Sequence, residues 1–312
     1  MIKKVIPSIS IIAVMLIILI HPDKYILSAQ NGILLFGICV LPALFPFFFF
    51  SKALMIFDAD ITLGKMLSRP ISKMYNAPKC AGYIIIMSLL CGYPIGAKLT
   101  SEYYLDGTID YKNSLTIASI ASTAGPIFII GTVGSAILHE PIVGYIILVS
   151  HYLSALLNGL LYRNQETLIE DNNTRNPITM SDSIYSAVLS VLLVGGYIII
   201  FNIICDMLIN IGIIDLLVKI INPITGDTSR GILLSIIEVT RGTVELSKSN
   251  ANIITKTATI AATVTFGGFS IIMQSITFLE KVGIKPSKLL LFKTSQCIIA
   301  YILATILAMI VF

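Results

Sequence analysis

The stretch Cys91-Gly92-Tyr93-Pro94-Ile95-Gly96-Ala97-Lys98-Leu99-Thr100-Ser101-Glu102 decides the fold. It ends an apolar run, residues 81–91, that is too short to cross a bilayer, which takes about 20 residues. Gly92, Pro94 and Gly96 interrupt helical hydrogen bonding, and Lys98 and Glu102 follow where lipid-facing side chains would otherwise stand. Irregular backbone at membrane depth survives only inside protein or beside a watery cavity. An ionisable residue there is costly enough to be read first as functional. A second break of this kind stands at Glu238-Val239-Thr240-Arg241-Gly242. The two stretches predict a pair of half-membrane, re-entrant hairpins.

Composition agrees. Of 312 residues, 56% are hydrophobic and 12% charged, against about a quarter charged in soluble domains. Mean hydropathy is +0.91. A soluble core of this size could not hide so much apolar surface, so the chain reads as an all-α polytopic membrane protein in a lipid bilayer. A net charge of +4 gives no support for a nucleic-acid partner. Cys39, Cys80, Cys91, Cys205 and Cys297 are scattered without a C-x-x-C pair and read as small apolar packers. His21, His139 and His151 lie far apart, so neither metal ligation nor a catalytic dyad is expected.

In chain order, Lys3 and Lys4 precede an apolar run ending at His21-Pro22-Asp23, with no small-residue cleavage site after Ile20. Residues 1–30 therefore read as a retained first helix and its loop. Residues 31–57 form a crossing kinked at Pro42 and Pro46, and 58–79 an interfacial amphipathic segment. The hairpin 81–104 follows, then a crossing at 114–138 broken at Ala124-Gly125-Pro126, then a return at 142–162. The polar stretch 163–182 reads as a cytoplasmic linker. The plan then recurs over 183–312: a crossing at 183–209, a mixed interfacial segment at 210–230, and a short broken run at 231–247. A crossing at 257–279 with Gly267-Gly268 inside it and a final helix at 288–312 complete it. If each hairpin dips in and returns, each half, 31–162 and 183–312, crosses three times, which inverts the second against the first. That is the inverted-repeat logic of secondary transporters. With the N-terminus cytoplasmic and the C-terminus outside, the inner segments hold Lys3, Lys4, Lys65, Arg69, Lys73, Lys79, Lys112, Arg163, Arg175, Lys281, Lys285 and Lys288. The outer ones hold only Lys24, Lys219, Arg230, Lys248 and Lys256.

Four ordered motifs carry a resemblance: Gly92-Tyr93-Pro94-Ile95-Gly96-Ala97-Lys98; Gly125-Pro126-Ile127-Phe128-Ile129-Ile130-Gly131; Glu238-Val239-Thr240-Arg241-Gly242; and Phe266-Gly267-Gly268-Phe269-Ser270 with Gln274. Over residues 31–312 the chain resembles the YlbJ-like sporulation integral membrane proteins of the Gate, or nucleoside-recognition, superfamily. Ser122 and Thr123 stand where that family usually has paired asparagines, and Ile272 and Met273 where it commonly has a histidine. The resemblance implies a fold similar to the core of concentrative nucleoside transporters. It also implies a role in spore formation, in the bacterial cytoplasmic or forespore membrane, as an importer of dipicolinate.

The expected substrate contacts are Lys98 and Arg241, one just after each hairpin break, the first a point charge and the second a planar fork suited to carboxylates. Glu238 reads as a proton or cation site or as the partner of Arg241. Neutralisation within the helix, Lys98 by Glu102 and Arg241 by Glu245, is the structural alternative. Breaks at Gly96, Gly125, Gly267 and Gly268 expose backbone amides and carbonyls at mid-depth, where half-helix N-termini favour an anion and bare carbonyls a small cation. Ser122, Thr123, Thr265, Ser270 and Gln274 add hydrogen-bonding side chains, close packing through small residues being the other reading. No cofactor is expected, and Na⁺ and H⁺ stand equal as coupling ion. Without a P-loop, an H-E-x-x-H motif or a serine-protease-like arrangement, the chain reads as a transporter driven by a gradient and not as an enzyme. The alternatives are a nucleoside or other small-solute transporter, and a non-transporting scaffold or regulator of sporulation. Its partners are a small-molecule solute and lipid, with homo-oligomers or other sporulation membrane proteins left open.

Overall fold

The structure is a computed structural model and describes residues 2–164 and 178–312. Of the expected linker 163–182, residues 165–177 lie outside the described residues. Helices, and among the described residues no strands, make up the chain. Helix α1 (Ile2–Ile20) turns at His21-Pro22 into α2 (Pro22–Leu35), with an angle of 108° between them. A π-helical turn, Phe36–Val40, carries α2 into α3 (Leu41–Ala53). There the Leu41 N–H reaches the Phe36 carbonyl, and Pro42 and Pro46 supply no donor to the ladder beyond it. The helical run expected at 31–57 thus begins earlier, at Pro22. Helix α4 (Ala59–Tyr75) leaves this run at 88°, in keeping with an interfacial segment.

The first hairpin is α5 (Ala81–Cys91) and α6 (Ile95–Leu105). Helix α7 (Tyr111–Ile120) unwinds at 121–126 and resumes as a π-helix, Ile127–Ile137, before α8 (Pro141–Leu161). The second half runs through the same series. Helix α9 (Met180–Asn210) opens on a reciprocal Thr179–Asp182 capping box, and α10 (Ile213–Thr225) is amphipathic. The second hairpin is α11 (Ser229–Ile237) and α12 (Val239–Ser247). Helices α13 (Ile253–Phe266) and α14 (Gly268–Leu279) form one span broken at Gly267, where φ is 82°, and α15 (Pro286–Val311) follows. By length and composition Pro141–Leu161, Met180–Asn210, Ile253–Val282 and Pro286–Val311 are each able to cross a membrane, and the two bent pairs raise these four to as many as six. Leu189, Leu192 and Ile200 on α9 and Ile298, Ile302 and Ile306 on α15 turn outward, as lipid-facing side chains must.

One expected break moves. Thr240-Arg241-Gly242 was read as broken backbone, yet these residues lie inside α12 and the chain breaks at Glu238. The reason is local: Glu238 adopts an extended conformation and its Oε2 accepts from the Arg241 backbone N–H at 2.8 Å, capping the helix at once. Gly242 then serves packing, since a Cβ there would lie 2.2 Å from the Ser235 nitrogen on the opposing arm.

Contacts between elements come in matched pairs. Helix α4 packs on α5 as α10 does on α11, and α6 on α7 as α12 does on α13. Across the halves, α6 meets α14 and α12 meets the π-helix, while α8 touches α13 as α15 touches α7. Each hairpin turn is also crossed by the broken helix of its own half. A Cβ on Gly92 would come 2.5 Å from the Gly125 nitrogen, and one on Gly268 would come 2.6 Å from the Ser235 carbonyl oxygen. The breaks therefore meet in the middle of the protein.

Candidate solute-binding site

Where the breaks meet there is a cavity of about 140 Å³. Both hairpin turns reach it, through Gly92 and Tyr93 and through Glu238 and Thr240. So do both broken helices, through Gly125, Ile127 and Phe128 and through Ser270, Ile271 and Gln274. Phe47 of α3 and Val194 of α9 close the sides. Four half-helices, α6, α12, the π-helix and α14, thus begin at or beside this space. The first N–H groups of a helix have no partner within it, and the aligned peptide dipoles place positive potential at that end. Four such ends around an apolar chamber make a place for negative charge without a lysine or arginine at the wall. Glu238 already satisfies one of them.

Behind Tyr93 lies a buried polar network. Lys293, on α15 and 1% exposed, donates from Nζ to Tyr93 Oη at 2.7 Å, Ser122 O at 2.9 Å and Gln296 Oε1 at 3.1 Å. Its ammonium also sits 4.7 Å from the centre of the Tyr93 ring. Tyr93 Oη donates to the Thr265 carbonyl at 3.2 Å. His151 of α8, fully buried, accepts at Nε2 from the Ala124 N–H at 2.8 Å and contacts Thr265 Oγ1 through Nδ1 at 2.8 Å. A backbone N–H can only donate, so Nε2 carries the lone pair and Nδ1 holds the proton, which it gives to Thr265. Thr123 Oγ1 donates to the Ser88 carbonyl at 2.8 Å, holding the unwound segment to α5. The segment 121–126 would otherwise expose bare backbone in a buried place, and these side chains answer it.

A comparison with known proteins bears on the same arrangement. Over 297 residues, 85% of this chain and 73% of the relative, the chain is 23% identical to the sporulation integral membrane protein YlbJ of Bacillus subtilis (strain 168). The chain is thus similar, along most of its length, to a sporulation integral membrane protein. No family model matches it, and no solved structure matches it significantly.

Of the residues expected to bind solute, the fold brings Glu238, Gly125, Ser270 and Gln274 to the cavity wall, with Gln274 Nε2 donating to Ser270 Oγ at 3.3 Å. Gly267 and Gly268 shape the break above α14, and Gly96, Ser122 and Thr123 lie behind the wall in helix packing and the polar network. Lys98 and Arg241 are not brought together and do not line the cavity. Lys98 is buried, with Nζ 3.4 Å from the Ser186 carbonyl and 5.5 Å from the Phe48 ring centre. Its expected partner Glu102 is taken by Lys52 at 2.6 Å. Arg241 faces a separate depression and pairs with Asp206 of α9 at 2.6 Å, while Glu245 is held by Arg230 and Lys248. Neither i,i+4 pair forms, because partners from distant helices come closer. Arg241→Gln should cost about 1 kcal/mol or less, since the pair is partly exposed. Ligand affinity in the cavity should stay as in the parent, which thermal unfolding with and without ligand reads directly.

Proposed function

We propose that the chain is a secondary transporter for a small planar anion, with the cavity between the hairpin turns as its binding site. The observation that carries this reading is the meeting of four half-helix N-termini around one apolar chamber. A space of about 140 Å³ suits a single ring, since a dry cavity of about 150 Å³ takes up benzene. Phe47, Phe128 and Ile271 would cover the faces of such a ring, and free amides at the ends of the π-helix and α14 would meet carboxylates at its edge. The likeness to a sporulation membrane protein supports a role in spore formation, and dipicolinate, one aromatic ring bearing two carboxylates, is the solute to test first. On this reading the two halves are inverted repeats, and the hairpins and half-helices alternate which side the cavity opens to.

The test is uptake of dipicolinate into proteoliposomes beside thermal unfolding of the same preparation. Dipicolinate at a hundred times its dissociation constant should add about 2.7 kcal/mol of stability. Uncharged pyridine and the larger uridine should add little. Stabilisation by uridine alone would replace this reading with a nucleoside transporter, and no uptake of either would favour a scaffold.

A further inference from the structure

The ammonium of Lys293 raises a question that the cavity does not answer. It is 1% exposed, and among the described residues it has no carboxylate within ion-pairing distance. Burying an unpaired charge is expensive, and a membrane interior offers no water to offset it. Every hydrogen-bond acceptor of Lys293 Nζ is a neutral oxygen: the Tyr93 hydroxyl at the first hairpin turn, the Ser122 carbonyl of the unwound segment, and the Gln296 amide on its own helix. His151 of α8 keeps its acceptor nitrogen for Ala124, and Thr265 of α13 is reached only through Tyr93 and His151. Cys297, one turn further along α15, is a free thiol near enough to act on the ammonium electrostatically.

Three neutral oxygens around a positive centre supply part of the shell that a small monovalent cation takes from protein, water completing the rest. The place also favours a cation by its backbone. Helix α7 ends at Ile120, so Ser122 O lies just past a half-helix C-terminus, where carbonyls lack partners and the dipole is negative. Exposed carbonyls at such a break commonly hold the coupling cation of a transporter. Here all three N–H bonds of an ammonium already fill the site.

We propose that Lys293 is a built-in cation that fills a monovalent-cation site formed by Tyr93, Ser122 and Gln296. The parent protein then has no room for sodium there, and this site couples no sodium gradient to solute movement. The charge arrives on α15 and binds the first hairpin turn and the first broken helix together permanently, which a dissociable ion would do only when present. Shortening the side chain to alanine vacates the position while leaving the three oxygens in place. Lys293→Met keeps a chain of similar length without charge and leaves the space filled.

The test is thermal unfolding of the purified full-length protein in sodium, lithium or potassium chloride against choline chloride at equal ionic strength. It reads cation binding without transport, so it is decided separately from the transporter reading, on which only the statement about gradients rests. The parent should unfold at the same temperature in all four salts. Lys293→Ala should unfold at a lower temperature in choline and recover by about 3 °C or more, saturably, in one of the alkali salts. Lys293→Met should show no such recovery. Saturable stabilisation of the parent by sodium would overturn the proposal, as would a folded Lys293→Ala variant indifferent to every alkali cation. Should Lys293→Ala not fold in any of these salts, alkali ions fail to replace the ammonium, and that too counts against it.

Discussion

Gly96→Ala is expected to be the most damaging single methyl group in this protein. A Cβ on Gly96 would stand 1.9 Å from the Ala121 carbonyl oxygen and 2.8 Å from its carbon. Neither is the end of a flexible side chain, so the backbone of the unwound segment has to move. That segment carries Ser122 O, which accepts from Lys293, and the Ala124 N–H, which donates to His151. A shift therefore loosens the α15 and α8 contacts together, and the expected loss is on the order of 3 kcal/mol. For a chain of this size that is a fall in unfolding temperature of several degrees, accompanied by loss of ligand stabilisation. Gly196→Ala is the matched control: no atom lies within 4 Å of its Cβ, and alanine in a helix interior should stabilise by up to about 1 kcal/mol. Equal effects at the two glycines would contradict the close approach of α6 to the unwound segment.

The second large effect is expected at His151. Leucine there removes the acceptor of the Ala124 N–H and the donor to Thr265 Oγ1 in one step, in a place with no exposure to water. Each buried polar group left without a partner costs about 1–3 kcal/mol, so His151→Leu should lose about 2–5 kcal/mol. The loss falls on the link between the two broken helices, because Ala124 belongs to the first and Thr265 to the second. His151→Gln, able to accept through its amide oxygen, should restore part of it. Unfolding temperature separates the three forms, and a leucine variant as stable as the parent would show that the network is dispensable.

Much of this architecture is written in punctuation along the chain. Glycine and proline at 92–96, 125–126 and 267–268 mark broken helices because nothing else in an apolar run needs them, and those breaks are where the structure has them. The break near Glu238 was misplaced by two residues because a carboxylate cap restarts a helix without any glycine at the turn. The partners of the hairpin cations were beyond reach of local spacing. Lys52 takes Glu102 from fifty residues away and Asp206 takes Arg241 from the preceding long helix. Lys293 was legible and passed over. It stands past Lys288, inside the apolar body of an unbroken helix, whereas the glycine and proline signals all point to broken ones. His151 illustrates a different limit, since its two partners lie 27 and 114 residues away in the sequence.

The packing of α15 also bears on how the protein is made. This helix touches α7, α8, α13 and α14, and α14 in turn covers α6 from the first half. While a ribosome is still synthesising the chain, the first hairpin and first broken helix wait in the membrane with Tyr93, Ser122 and Asn158 facing no α15 partner. The cavity wall itself is complete once α14 is made, but the groups behind Tyr93 gain their ammonium only when α15 arrives.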